Sequence, residues 1–160
     1  MSTVSNLSTG DTITETYVDS VTNSINAVGC TVTRTANQSI SNGTGTFTAI
    51  SWDGEASDTN DFFTATSDTI TVPTGYEGTY AITARLTWAS SPGANSSIEV
   101  LHSSGAVFRQ PVGSATQLTS CSICIIFPLA AADTIKIRVS QGSGGAINIT
   151  GACYVWRLAL

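Results

Sequence analysis

Charge is scarce in this chain. Of its 160 residues only 11% are Asp, Glu, Lys or Arg, the cations number 6, and the net charge is −5. Phosphate binding needs clustered Lys and Arg, so this balance argues against a nucleic-acid partner. No apolar run approaches the roughly 20 residues of a membrane span, which argues against a membrane partner. The opening residues Met1-Ser-Thr-Val-Ser-Asn have neither the basic nor the apolar stretch of a secretory signal, so folding in a cytoplasm is expected. Cysteine is sparse, at Cys30, Cys121, Cys124 and Cys153. A chain long enough for one well-cored domain does not need disulfide staples, and free thiols are expected.

What the chain has instead is Thr, Ser, Asn and Gln, set among short apolar-alternating segments. The clearest runs from Thr79 to Trp88. Tyr80, Ile82, Ala84, Leu86 and Trp88 fall on one face, and Thr79, Thr83, Arg85 and Thr87 on the other. Strands are predicted near residues 31–40, 46–53, 62–72, 78–90, 96–102, 106–110, 117–128, 134–140 and 146–158. Turn signals such as Asn42-Gly43, Asp53-Gly54 and Pro92-Gly93 separate them. With no helix between them, these strands imply a sandwich or barrel.

One helical pattern precedes them. Thr12 has N-cap chemistry with Glu15 three residues on, and Ile13, Tyr17, Val21 and Ile25 recur every four residues. Val18, Val21, Ile25 and Val28 also follow a 3-4-3 spacing that would suit a bundle of identical chains. Packing against its own domain is the other use, and Gly29 is read as the helix stop.

From about residue 31 the order of segments resembles a known family. Thr35-Ala-Asn-Gln-Ser-Ile40, Phe47-Thr-Ala-Ile-Ser-Trp-Asp53, Asp61-Phe-Phe63, Ile70-Thr-Val-Pro73 and Gly78-Thr-Tyr-Ala-Ile82 are similar to the succession in C1q/TNF-like jelly rolls, above all those of bacteriophage structural proteins. The final segment Gly151 to Leu160 resembles that family's closing strand. Residues 10–23 look like the helical lead-in of phage fibre and head-decoration proteins. The resemblance implies an all-β jelly-roll sandwich over residues 30–160, behind a leader and helix over residues 1–29. It also implies a homotrimer of ten-stranded units, and no catalysis.

Several residues invite a chemical reading. His102 would need Asp133 or Asp68 and a serine to form a triad, but no nucleophile-elbow spacing surrounds any serine, so a structural histidine is expected. Cys121 and Cys124 have redox-motif spacing, yet strand alternation puts them on opposite faces. Asp53, Asp58 and Asp61, with Glu55, cluster in an expected loop, where calcium is the one cofactor to weigh against a merely solvated loop. Arg34, Arg85 and Arg157 fall in strands that the family fold places in one sheet, and the implied trimer makes them interface candidates.

The resemblance thus leads to the expectation of a non-enzymatic phage virion surface protein. It would be a capsid decoration, cement or head-fibre trimer, held to the major capsid protein or another virion protein through its N-terminal segment, where Ile13, Tyr17, Val18, Val21 and Ile25 would serve virion attachment or trimerisation. The alternative is a tail-fibre or receptor-binding knob for a host surface glycan, drawing on residues 53–61, 91–96 and 141–146. An exposed tryptophan near these segments would favour it and a buried Trp52 would oppose it.

Overall fold

The computed structural model describes residues 27–112 and 119–158. The leader residues Ile13, Tyr17, Val18, Val21 and Ile25 lie outside the described residues. The described residues form ten strands: β1 (Gly29–Ile40), β2 (Thr48–Ala49), β3 (Gly54–Asp58), β4 (Ile70–Thr71), β5 (Gly78–Trp88), β6 (Ser96–His102), β7 (Val107–Val112), β8 (Ser120–Leu129), β9 (Thr134–Ser140) and β10 (Ile147–Arg157). Two sheets result. The front sheet has the order β3-β1-β10-β5-β8; the back sheet has the order β2-β9-β6-β7, with β4 also paired to β9. All pairings are antiparallel.

The alternation seen in the sequence builds the core. Tyr80, Ile82, Ala84, Leu86 and Trp88 of β5 are all buried, as are Val32 of β1 and Val155 of β10. They meet Ile98 and Val100 of β6 and Ile137 and Val139 of β9 from the opposite sheet. Each such side chain contributes roughly 1.5–3 kcal/mol by leaving water. The central strands lie close. A Cβ on Gly151 would overlap the carbonyl oxygen of Arg85, and its φ of +157° is a conformation that side-chain-bearing residues avoid.

Four boundaries differ from the sequence expectation. Gly29, read as the helix stop, lies in a strand, and the helix expected before it falls outside the described residues. Gly29 opens β1 at φ +147°, where a Cβ would overlap the carbonyl oxygen of Val155, and Val28 before it accepts a hydrogen bond from the Arg157 N–H at 2.8 Å. The expected strand 46–53 shrinks to Thr48–Ala49 because the chain changes sheets. Ile50 N–H reaches Ile137 in the back sheet, Trp52 N–H reaches Ser67, and Asp53 N–H reaches Thr33 in the front sheet. The acidic segment after Asp53, expected as a loop, is the strand β3 on the sheet edge. The expected strand 62–72 folds back on itself, so that Phe63 bridges to Ile70 around a turn with Thr66 at φ +66°.

Candidate functional site

Among the described residues nothing covers the outer face of the front sheet, here called the open face. Its alternate side chains align across strands in rows: Trp156, Ala81 and Ile126; then Thr31, Tyr154, Thr83 and Cys124; then Thr33, Ala152, Arg85 and Ser122. The first row is apolar, the second sets Tyr154 among two threonines and a cysteine, and the third is mostly polar. Ile126 is 66% exposed and Tyr154 is 37% exposed, with Trp156 half-buried beside them. Large apolar side chains gathered on one exposed sheet face make that face a candidate contact surface.

The three arginines share this sheet but not this face. Arg85 stands on it, exposed, in the row with Ala152 and Ser122. Arg34 faces the other way, in phase with Cys30 and Val32, 3.5 Å from the Asp53 carboxylate and 3.1 Å from the Asn37 carbonyl oxygen. Arg157 lies at the end of β10, its guanidinium so close over Gly78 that a Cβ there would sit 2.7 Å from Nε. Only Arg85 is placed to meet a partner across the open face.

The acidic residues are used locally. Asp53 accepts from the Thr35 and Ala36 N–H groups at 2.8 and 2.7 Å, where the β1 ladder is irregular. The Thr35 N–H first, with Ala36, the Thr35 hydroxyl and Arg34, holds its carboxyl below the ordinary range. Asp58 accepts from the N–H groups of Asn60, Phe62 and Phe63 at the far end of β3. Asp61 occupies the tight turn between them at φ +61°. Among the described residues no three His, Cys, Asp or Glu side chains converge as metal ligands.

His102 does find both partners of a triad. Nε2 lies 3.0 Å from Asp133 Oδ2 and Nδ1 lies 2.7 Å from Ser104 Oγ. The Ser104 N–H also donates to Nδ1 at 3.2 Å, and the Gly105 N–H is spent on the His102 carbonyl, so the turn offers no oxyanion donors. Packed edge-on against Phe127, His102 ties the β6–β7 turn to the β8–β9 turn. The cysteines fall as expected from alternation, with Cys121 turned toward the core and Cys124 exposed on the open face. Pairing of β1 with β10 brings Cys30 and Cys153 into the core as free thiols.

Of the three segments suited to sugar binding, 91–96 and 141–146 meet through the Gly142 N–H and Pro92 carbonyl, with Gly43 close by. Residues 53–61 do not join them, and Trp52 is fully buried. The aromatic members of the open face, Tyr154 and Trp156, were not among the sequence-derived candidates.

No protein-family model matches this chain, and no curated protein is significantly similar to it. Solved structures do share its architecture. The globular domain of zebrafish complement 1qA is 14% identical, with a TM-score of 0.59 over 82% of this chain and 97% of that one. The vertex protein P5 of phage PRD1 is 17% identical, with a TM-score of 0.56 over 81% and 97%. Eiger TNF from S. frugiperda is 13% identical, with a TM-score of 0.58 over 83% and 93%. The fold is therefore a C1q/TNF-like jelly roll, and a phage virion protein is among the structures that share it.

Proposed function

We propose that this protein is a non-enzymatic bacteriophage virion surface protein, a homotrimer that packs through the open face of its front sheet and decorates the capsid as a cement or head-fibre protein. The observation that carries this reading is the row of Trp156, Ala81 and Ile126 beside Tyr154, an apolar patch on the outer face of the front sheet. Threefold association would cover three copies of that patch in one closed assembly. The shared fold of the PRD1 vertex protein supports a place on a virion.

Residues 1–29 would hold the trimer to the major capsid protein or another virion protein. A trimer seated over a symmetric site bridges neighbouring shell subunits, and that binding must be lost before the shell opens. The chain would assemble in the host cytoplasm, and the reading needs no cofactor.

Electron cryomicroscopy of purified particles tests it. Threefold knobs at repeated capsid positions are expected, and they should be lost from particles made without this chain. Density confined to the tail would support a fibre or receptor-binding knob instead, a reading favoured by the meeting of segments 91–96 and 141–146 but opposed by the burial of Trp52. Absence from the particle would end both.

A further inference from the structure

The back sheet carries a second organised cluster on its outer face. Glu99 of β6 is fully buried although it points away from the core, and its register neighbours on both sides are arginines, Arg109 of β7 and Arg138 of β9. Arg109 donates through Nε and Nη2 to Glu99 Oε2 at 3.0 and 2.8 Å, and Arg138 Nη2 pairs with Oε1. The Phe47 ring lies over the pair, 4.3 Å from the Arg109 guanidinium carbon and 5.6 Å from that of Arg138.

Two guanidiniums around one carboxylate leave one positive charge in excess. The nearest further cation on this face, Lys136, is already neutralised by Asp68 at 2.9 Å. Arg138 Nε is buried without an acceptor among the described residues, and Arg109 is 52% exposed. Beside Arg109 opens a cleft of about 350 Å³, lined by Thr44, Phe47, Asn95, Ser97 and Pro111, with no carboxylate among the described residues of its wall. That volume is at the lower end of small-molecule sites, which run roughly 300–1,000 Å³.

We infer that this cleft binds a carboxylated saccharide, with Arg109 taking the sugar carboxylate and Thr44, Asn95 and Ser97 meeting its hydroxyls. The excess positive charge selects an anion, and Arg109 keeps its Nη1 donors for a ligand carboxylate while Nε and Nη2 hold Glu99. The short hydroxyl and amide side chains select a sugar over an acidic protein loop, which would need a cation but no pocket. The cleft lies on the sheet opposite the apolar face, so it stays open when copies associate through the front sheet. Only that accessibility rests on the proposed trimer.

The test titrates the full-length chain with methyl glucuronoside and methyl glucoside, which differ in the carboxylate alone, by saturation-transfer NMR and calorimetry. Glucuronoside should bind with a dissociation constant of order millimolar. Glucoside should bind about tenfold or more weakly, and added salt should narrow the difference. Arg109→Gln should abolish the discrimination and Ser97→Phe should close the cleft to both sugars, each variant still folded at the titration temperature by circular dichroism, with Arg109→Gln melting lower because Glu99 loses one of its two partners. Equal binding of the two sugars, or glucuronoside binding undiminished in Arg109→Gln, would overturn the inference. So would capture of an aspartate-rich peptide with no sugar binding, which would assign the cluster to a protein partner. Light scattering on the same samples reads association separately, so a monomer that still discriminates would keep this inference and remove the trimer.

Discussion

Trp156 and Ile126 stand in one row of the front sheet with only Ala81 between them, two strands apart and both on the side away from the core. Replacing Ile126 with Asp puts a charge in the middle of any contact made there, while leaving the core beneath untouched. Sedimentation velocity should show Ile126→Asp reduced to single chains that keep the strand signal in circular dichroism, with apparent stability lowered only by the loss of association. Unchanged association in this variant would move the contact elsewhere.

Glu99 supplies a stability test. Glu99→Ala strands two guanidiniums around an empty site and should destabilise the fold by about 3–5 kcal/mol in denaturant unfolding. Arg109→Ala should cost less, because the exposed guanidinium leaves Arg138 still paired with the carboxylate. If the two variants proved equal, the burial of Glu99 would not be what matters.

Acid stability should depend on Asp53 and Asp133. The Asp133 carboxyl is held low by the Ala130 N–H first, then by His102 and Ser103. For a group whose folded pKa is depressed, the stabilisation is present above the ordinary value of 3.8 and is lost as pH falls through the lower folded value. Unfolding midpoints should therefore be flat above about pH 5 and fall below it. Asp53→Asn should flatten that acid limb. An equally steep limb in the variant would show that other carboxylates govern it.

The thiols should separate by position. Burial pushes the Cys153 thiol up to about 12 and Cys121 up to about 11, and raises Cys30 as well, so none offers thiolate near neutral pH. Cys124 alone is exposed. A native-state alkylating agent should modify Cys124 first under dilute, dissociating conditions and the other three only on unfolding, as read by intact mass. Reductant should leave the melting temperature unchanged, whereas a drop of several degrees would reveal a disulfide between Cys30 and Cys153.

Strict alternation made some of this structure readable from the residues. In β5 the inward set and in β9 the bounds 134–140 follow from period-two patterning alone. β3 was hidden because an edge strand needs charge more than hydrophobicity, and Gly54-Glu-Ala-Ser-Asp58 reads as a loop. Thr-rich residues 64–69 look strand-like, yet they make a turn held by Ser67 N–H to the Thr64 carbonyl. The open face was half visible. Ile125, Ile126 and Phe127 run apolar through β8, so both faces must carry apolar groups, but which residues of β5 and β10 lie beside Ile126 depends on register. The same holds for Glu99, Arg109 and Arg138, which sit on three strands and meet only when those strands pair.

Multi-angle light scattering of the full-length chain at micromolar concentration bears hardest on the virion-knob reading. The mass should be three times the 16.5 kDa of one chain, and should stay so on moderate dilution because the contact is apolar. A stable mass of 16.5 kDa would leave Trp156, Tyr154 and Ile126 facing water and would contradict the proposal that this face joins three copies.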